Sequence, residues 1–209
     1  MKITIIGAGN VGRNLSNLFI SGGHHVKVGL REGHQLPDEF TEGVQGAFVK
    51  DAIADADIVV LAIPYSACEK VLSELVDALS GKIVVDATNP LNDDWSPLVL
   101  GAQNSAGEEN AKRLPNSHLV KAFNTVFADI MNADGLTHHG DSVTAFIAGD
   151  NEGARNQVAK LANTSGFAAL EVGGMTNARY LEAMAHLNIQ IAVGMDGGTH
   201  AGFIYFQQP

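Results

Sequence analysis

A glycine-rich loop between a short apolar segment and an amphipathic helix constrains this chain more than any other feature. Residues 2–6 form an apolar run of strand length, and the pattern G-x-G-x-x-G follows it directly in Gly7, Gly9 and Gly12. Apolar residues then recur on one helical face, in Val11, Leu15, Leu18 and Phe19. The sequence therefore predicts a strand, a tight turn and a helix whose N-terminus receives a pyrophosphate.

Each glycine of the loop has its own task in this prediction. Gly7 permits the tight turn, Gly9 lets the backbone approach the pyrophosphate, and Gly12 lets the helix pack close to the strand. Asn10 and Val11 open the helix, so their backbone N–H groups face the phosphate oxygens. The alternative is a glycine-rich structural turn that binds nothing.

Beyond the loop, apolar runs alternate with helical patterns, which predicts an α/β fold with a doubly wound parallel sheet of the Rossmann type. Strands are expected at 26–28, 57–63, 83–86, 119–123, 143–148 and 167–172. Helices are expected at 51–55, 68–79, 105–114 and 154–162, whereas residues 32–50 have no clear assignment.

The pattern changes near residue 173 and suggests a separate C-terminal part. The apolar residues of 178–195 favour a helix buried on several sides, although their spacing also fits a strand. We therefore predict a dinucleotide-binding domain over residues 1–172 and a small helical C-terminal extension over 173–209. We expect the extension to complete the acceptor site, with the backbone of 195–198 closing it. Its apolar segment, 187–195, predicts a twofold homodimer.

The end of the second predicted strand decides between the two nicotinamide cofactors. NAD-binding domains carry Asp or Glu there, about 20 residues after the loop, to accept the ribose hydroxyls. This chain has Gly29-Leu30-Arg31, so no carboxylate repels a 2′-phosphate and the Arg31 guanidinium can donate to it. We predict NADP(H) as the cofactor. Glu32 could still accept a ribose hydroxyl, and Arg31 could be an ordinary surface arginine.

The loop, Gly29-Leu30-Arg31 and five later segments together resemble the NADP oxidoreductase, coenzyme F420-dependent family, the deazaflavin-linked NADPH reductases. That family shares the Rossmann domain of the six-transmembrane metalloreductases. The later segments are 62–64, 86–91, 120–125, 148–150 and 177–182, so the similarity covers nearly the whole chain. The resemblance implies that the 2′-phosphate is held by Gly29, Leu30 and Arg31. It implies that the inner ribose and nicotinamide are lined by Ala62, Ile63 and Pro64.

The resemblance also implies that Phe123, Asn124 and Thr125 lie near the nicotinamide and the acceptor ring. The residues of the chain support this placement, because ligands of parallel sheets bind beyond the carboxyl ends of the strands. Three predicted strands are followed directly by Pro64, by Asn89-Pro90 and by Asn124-Thr125, and Asn or Thr there can hydrogen-bond a carboxamide or a ring edge. We expect Asn89, Pro90 and Asn124 to bind the cofactor, and Phe123, Asn124 and Thr125 to position the acceptor. Helix capping or turn formation is the alternative role.

Several other chemistries find no support in the sequence. The formal net charge of −10 argues against nucleic acid and anionic membranes as partners. The motifs of serine hydrolases, zinc proteases and dithiol enzymes are absent, and the two adjacent histidine pairs suit surface positions, so we predict no metal site. Cys68, the only cysteine, and His186 are expected in the core. No apolar run has the length of a signal peptide core or a membrane span, which predicts a soluble, cytoplasmic protein.

Three functions remain open from the sequence. The first is an NADPH-dependent reductase that passes hydride to a small-molecule ring acceptor, such as a deazaflavin, flavin or quinone. No residue is assigned a certain catalytic role in it, since hydride transfer between rings needs alignment more than acid–base groups. The second is a dehydrogenase of a small carbonyl or imine, for which Lys121 is the only nearby candidate proton donor, although its place inside a strand favours a packing role. The third is an NADP sensor without catalysis.

Overall fold

A six-stranded parallel sheet forms the centre of the computed structural model, which describes residues 1–101 and 103–208. Its strands are β1 (Lys2–Ile6), β2 (His25–Leu30), β3 (Gln45–Phe48), β4 (Ile58–Leu61), β5 (Ile83–Asp86) and β6 (His118–Lys121). They lie in the order β3-β2-β1-β4-β5-β6, so the chain reverses its winding between β1 and β4. This is the predicted doubly wound Rossmann sheet. Ile6 lies in register with Gly29 on one side and Leu61 on the other, so three carboxyl ends meet at one edge.

Helices cover both faces of the sheet, which explains the continuous apolar strands. The helices are α1 (Asn10–Ser21), α2 (Val49–Ala54), α3 (Tyr65–Leu75), α4 (Ala106–Arg113), α5 (Glu152–Thr164) and α6 (Ala178–Ile189). Ile3 and Ile5 pack with α1 and α5 in one core, and Val59 and Leu61 pack with α2 and α3 in the other. Among the described residues, no helix combines the length and apolar content that crossing a membrane requires.

Two strands that the sequence placed in the parallel sheet lie outside it. After β6 the chain forms a short hairpin of β7 (Thr137–His138) and β8 (Asp141–Ser142). β9 (Thr144–Ile147) and β10 (Ala168–Glu171) then pair with each other in a separate parallel sheet. One antiparallel bridge, between Lys121 and Ala148, joins β9 to the end of β6. The reversed direction at this bridge keeps β9 from continuing the six-stranded parallel sheet.

The C-terminal segment is a helix rather than a strand, but only one of its faces is buried. α6 continues into a π-helical turn over Gln190–Gly194. Leu181, Ala185 and Ile189 recur every four residues and are buried, as one helical face requires. Leu187 and Val193 are more than half exposed, so the expectation of burial on several sides is wrong. The division of the chain at residue 172 stays a prediction.

A fully buried lysine ties α6 to the carboxyl ends of the central strands. The Lys121 Nζ atom lies 2.9 Å from Glu182 Oε1 on α6 and 3.4 Å from Asp86 Oδ2 at the end of β5. It also donates to the backbone carbonyl of Thr88 at 2.6 Å. Burial alone would lower the pKa of Lys121, but the two carboxylates outweigh burial and raise it. Lys121 therefore stays charged at neutral pH.

The two carboxylates of this cluster have further donors that make their burial tolerable. Glu182 accepts from the backbone N–H groups of Ala106 and Gly107, at 2.9 and 3.0 Å, which form the N-terminus of α4. Asp86 accepts from the Asn110 side chain at 3.0 Å and from the backbone N–H of Thr88 at 2.8 Å. The cluster therefore joins β5, β6, α4 and α6 at a single point.

Replacing Lys121 by Met is expected to destabilise the fold strongly. The change keeps most of the side-chain volume and leaves Asp86 and Glu182 as buried carboxylates without their cation, at a cost of roughly 3–5 kcal/mol. Lys112→Met is the matched control, since its Nζ atom pairs with Glu109 on the surface, where a pair contributes about 1 kcal/mol or less. Urea unfolding of both variants measures the difference. Equal stability losses would contradict the role given to the buried cluster.

Candidate functional site

The glycine loop has one open position between two crowded ones. A Cβ atom on Gly7, whose φ is +121°, would lie 2.2 Å from the Ala62 carbonyl oxygen, and one on Gly12 would lie 2.0 Å from the Gly7 carbonyl oxygen. Both glycines are therefore required by close backbone packing. A Cβ on Gly9 would meet nothing within 4 Å. Gly9 caps α1 without a side-chain hydrogen bond, so the first N–H groups of the helix face open space.

The end of β2 packs tightly against α2. A Cβ on Gly29 would lie 3.0 Å from Val49 Cγ2 of α2, so a side chain here would press against that helix. Leu30 packs towards β3, where its Cδ1 atom would lie 2.8 Å from a Cβ on Gly46. Arg31 follows and is exposed. Of the three predicted phosphate-site residues, Arg31 alone carries a positively charged side chain.

A second guanidinium lies at the loop and was not singled out from the sequence. Arg13, in the first turn of α1, donates from Nη2 to Asn10 Oδ1 at 3.2 Å. The available signal was its position, one residue after Gly12, where a helix that binds phosphate presents its first turn. Arg13 thus stands at the start of α1, and Arg31 follows the neighbouring strand β2. Neither arginine lines the cavity described next, nor do Gly29 and Leu30.

A cavity of about 550 Å³ begins at the loop and continues along the carboxyl edge of the sheet. Such a volume lies within the usual range for ligand sites, about 300–1,000 Å³. The predicted residues that line it are Gly9, Asn10, Val11, Ala62, Ile63, Pro64, Asn89, Asn124 and Thr125. They follow β1, β4, β5 and β6, so the switch in strand order brings these distant segments together.

Two asparagines at the floor of the cavity fix each other's orientation. Asn89 donates from Nδ2 to the Asn124 backbone carbonyl at 2.8 Å. Asn124 donates from Nδ2 to Asn89 Oδ1 at 3.0 Å and to the Leu181 carbonyl at 3.2 Å. If the Asn124 amide were flipped, its oxygen would face two other acceptor oxygens, those of Asn89 and Leu181, with no hydrogen to share. Nδ2 must therefore point to these partners. Its Oδ1 atom faces away from them.

The same floor holds two buried oxygens without a hydrogen-bond partner. They are Asn124 Oδ1 and Thr88 Oγ1, both of cavity-lining residues, and neither contacts a donor among the described residues. Buried polar atoms are almost always satisfied, so these two oxygens are placed to accept from a water or a ligand in the cavity. Asn124 Oδ1 accepts only, and it therefore calls for a ligand that donates a hydrogen bond.

The side chain of Phe123 does not line the cavity, contrary to expectation. It is buried between the rings of Phe19 and Phe167, with centroid separations of 5.9 and 5.2 Å. Its backbone is left-handed, with a φ of +64°, and this turns the chain so that Asn124 and Thr125 line the cavity. Phe123 thus acts through packing and backbone shape, because its ring fills the core beneath the turn.

Pro90 also lies outside the cavity lining, as does the segment 195–198 that was expected to close it. The Pro90 carbonyl accepts from the Leu98 N–H at 2.9 Å and lies 3.0 Å from His186 Nε2. It therefore anchors the following loop and α6. Thr199, one residue after that segment, does line the cavity.

Aromatic and C-terminal residues complete the cavity and were missed from the sequence. The aromatic ones are Tyr65, Trp95 and Phe127, and α6 contributes Ala185, Asn188 and Ile189. Trp95 is exposed and has a φ of +67°, in the segment 92–104, for which the sequence predicts a loop. An apolar ring in a polar loop was the one available signal. The sequence offered no signal for the α6 residues, since their placement depends on the Lys121 cluster.

Three reactive side chains that the sequence singled out are not among the residues that line the cavity: Cys68, Lys121 and His186. Burial, with a smaller contribution from the Asp86 charge, raises the pKa of the Cys68 thiol to about 11, so the thiol stays protonated. Cys68 is buried as predicted, whereas His186 is only half-buried. Lys121 is enclosed by its cluster. Across residues 1–101 and 103–208, no three His, Cys, Asp or Glu side chains come together as a metal site would require.

Known proteins resemble the chain over most of its length. A family model described as NADP oxidoreductase coenzyme F420-dependent matches residues 2–90. The F420-dependent NADP reductase of Methanothermobacter thermautotrophicus is 29% identical, over 92% of this chain and 90% of that protein. The metalloreductase STEAP3 of Rattus norvegicus is 30% identical over 88% of this chain, which spans only 36% of that longer protein. The crystal structure of a putative F420-dependent NADP reductase from Arthrobacter sp. FB24 superposes with a TM-score of 0.83 and 28% identity, over 95% of this chain and 96% of that one.

Proposed function

The chain belongs to the NADP oxidoreductase, coenzyme F420-dependent family, and on this premise we propose that it transfers hydride between NADPH and a planar ring acceptor of the deazaflavin, flavin or quinone class. The observation that carries the proposal is the continuity of the loop and the cavity. Gly9, Asn10 and Val11 form one end of the space, and Asn89, Asn124 and Thr125 form its floor. One extended ligand can therefore occupy the loop and the cavity floor at the same time.

The loop end has the features that a dinucleotide phosphate requires. The space above Gly9 admits a pyrophosphate to the uncapped N-terminus of α1, where N–H groups and the helix dipole favour anions. Arg31 extends from the end of β2, on the side of the loop opposite β4. A 2′-phosphate on that side meets a guanidinium and no carboxylate at Gly29. These contacts favour NADPH over NADH.

The cavity end suits a reaction that needs two aligned rings and little water around them. When bound, NADPH supplies a hydride from its nicotinamide ring, which reduces the acceptor by two electrons. The chain's part is to orient the ring through Asn124 Oδ1, which can accept from a carboxamide N–H. Ile63, Val126 and Ile189 give the same space apolar walls. When the nicotinamide and acceptor rings stack with their reacting atoms about 3–3.5 Å apart, hydride transfer needs little further catalysis from the protein.

The alternative of a carbonyl or imine dehydrogenase needs a proton donor beside the substrate. Lys121 cannot serve, because its ammonium is committed to Asp86, Glu182 and the Thr88 carbonyl. The Tyr65 side chain lines the cavity and is the group that such a reaction would use. The further alternative, an NADP sensor, would bind the cofactor without any turnover.

NADPH oxidation with riboflavin, menadione and small carbonyls separates these functions. Tyr65→Phe and His186→Ala should each keep turnover with the ring acceptor within several-fold, since no proton donor is required there. A carbonyl reductase would lose about 10²–10⁴-fold with its donor. A collapse of more than about a hundredfold in folded Tyr65→Phe would favour the dehydrogenase. No oxidation with any acceptor would favour the sensor.

Arg31→Ala is expected to weaken NADPH binding roughly 10- to 100-fold, since charge-assisted hydrogen bonds contribute about 1.5–3 kcal/mol. NADH binding should change little, because NADH lacks the 2′-phosphate. Lys160→Ala, which removes an exposed positive charge on α5, controls for general electrostatics. Calorimetric titrations of both cofactors measure the change. An equal loss for NADPH and NADH would mean that Arg31 acts structurally.

We also propose that the chain works as a homodimer in the cytoplasm. Leu187, Val193 and Met195 expose more than half of their surface along one segment, and Tyr205 and Phe206 near the C-terminus are exposed as well. A patch of this kind is commonly covered by a second copy. The cytoplasmic location is supported by Cys68, a buried free thiol of the type kept in reducing compartments.

Light scattering should give a mass of twice 22.0 kDa at micromolar concentration. Val193→Glu places a charge in the exposed segment and should shift the protein towards the monomer, because a buried unpaired charge opposes association. Lys160→Glu changes charge on α5 and serves as the control. A wild-type monomer under these conditions would refute the dimer.

A further inference from the structure

We propose that Trp95 and Asn188 bind the hydride acceptor, with the indole against the face of its ring and the amide on a polar edge. This inference rests on the proposed function and names residues of the second substrate's site. It follows from the position of both residues along the cavity, from the fixed exposure of the indole, and from the lack of a partner for the amide among the described residues.

The strand order places Trp95 at the nicotinamide end of the cavity. Gly9 follows β1 and Arg31 follows β2, so the phosphates of the dinucleotide would bind over that half of the sheet. Trp95 lies in the loop after β5, two strands from β1 and beyond the switch in strand order. A dinucleotide that crosses this switch brings its nicotinamide, and with it the acceptor, towards Trp95.

The loop around Trp95 holds the indole in an exposed position. The Trp95 N–H donates to the Asn92 carbonyl at 3.0 Å, and the Asn92 N–H donates to the Ser96 carbonyl at 2.9 Å. The Asp94 carboxylate accepts from the N–H and the hydroxyl of Ser96, at 3.0 and 2.6 Å. Trp95 is 57% exposed, and its φ of +67° is a left-handed conformation that is costly for a tryptophan. The chain thus presents a large apolar ring at the cavity at the expense of its backbone.

Asn188 gives an independent indication of a ligand in the same space. It is 6% exposed and lines the cavity, yet no hydrogen bond between the described residues involves its side-chain amide. A buried amide has two N–H groups and one oxygen to satisfy, so Asn188 is placed to meet a water or a ligand. His186, two residues earlier on α6, lies with Nε2 3.0 Å from the Pro90 carbonyl. The helix therefore stands beside the segment that leads to Trp95.

The amide of Asn188 is separate from the group assigned to the cofactor. The proposed function gives the carboxamide to Asn124 Oδ1, and the same Asn124 amide donates from Nδ2 to the Leu181 carbonyl at 3.2 Å. Asn188 lies seven residues further along α6 than Leu181, which at 1.5 Å per residue is about 10 Å. A carboxamide on Asn124 therefore leaves Asn188 for a second ligand. Rings of the deazaflavin, flavin and quinone classes carry carbonyl or N–H groups at their edges that suit an amide.

Equilibrium dialysis of riboflavin and menadione against the NADP⁺-loaded protein tests both contacts. Trp95→Leu removes the aromatic face and should raise the Kd of each probe roughly tenfold, because stacking on an aromatic side chain is of that size. Trp95→Phe keeps an aromatic ring and should stay within about threefold of the wild type. Asn188→Leu should raise the Kd about fivefold through the lost hydrogen bond. The affinity for NADPH should be unchanged in all three variants.

Matched controls separate contact with the ligand from general effects of the substitutions. Tyr180→Leu removes an exposed ring of α6 that does not line the cavity, and Asn156→Leu removes an exposed amide of α5. Both should bind the probes as the wild type does. Trp95→Gly relieves the left-handed backbone, so it should melt no lower than the wild type while probe binding weakens. In the wild type both probes should quench the fluorescence of Trp95, the only tryptophan of the chain.

Each outcome decides the inference separately from the proposed function. Wild-type Kd values in Trp95→Leu or in Asn188→Leu, or no binding of either probe to the wild type, would overturn the inference. An equal loss of NADPH affinity would assign the two residues to the cofactor and overturn it as well. A lower mass for Trp95→Leu than for the wild type in light scattering would assign Trp95 to a subunit contact instead. The proposed function fails in another way, if the probes bind as expected and no acceptor supports oxidation of NADPH.

Discussion

The buried charge cluster around Lys121 holds the walls of the cavity in place. Lys121 contacts Asp86 at the end of β5 and Glu182 on α6, and it donates to the carbonyl of Thr88 on the cavity floor. Glu182 in turn accepts from the N-terminal N–H groups of α4. A lysine with two buried carboxylates would be costly by itself, and the helix N-terminus and the Asn110 amide compensate the excess negative charge.

The cluster also fixes the wall of the cavity that α6 forms. Because α6 is held by Glu182, its residues Ala185, Asn188 and Ile189 stand against the strand ends and close one side of the cavity. The Leu181 carbonyl of the same helix fixes the Asn124 amide. A lysine outside the cavity thereby determines the shape of the floor. The floor presents polar, uncharged groups, among them Asn89, Asn124 and Thr125.

The sequence predicted the parts of this fold that depend on local spacing. The loop was recognisable because Gly7, Gly9 and Gly12 stand at a fixed spacing between an apolar strand and an amphipathic helix, and most strands of the parallel sheet were visible as apolar runs. The contact that requires Gly12 is local, with the Gly7 carbonyl, whereas the one that requires Gly7 comes from the distant Ala62. β3 was missed because Gln45–Phe48 is an edge strand with little burial and no apolar run. Its short, exposed pattern resembles a loop.

The parts of the site that escaped prediction depend on tertiary contacts. Phe123 stood beside Asn124 in the sequence, but its ring turns into the core, and only the left-handed backbone reveals why. Trp95 and Phe127 reach the cavity from loops whose course no periodicity encodes. The exposure of one face of α6 also depends on what packs against it. Spacing therefore predicts where a strand ends better than which side chain faces the ligand.

A calorimetric titration of NADPH into wild type and Gly9→Val decides whether the loop and the cavity form one dinucleotide site. The valine has open space around its Cβ and an extended backbone, with a φ of −79°, so the variant should melt at the wild-type temperature. Its side chain would occupy the place of the pyrophosphate, and the heat of NADPH binding should disappear. Wild-type affinity in the folded variant would contradict the account.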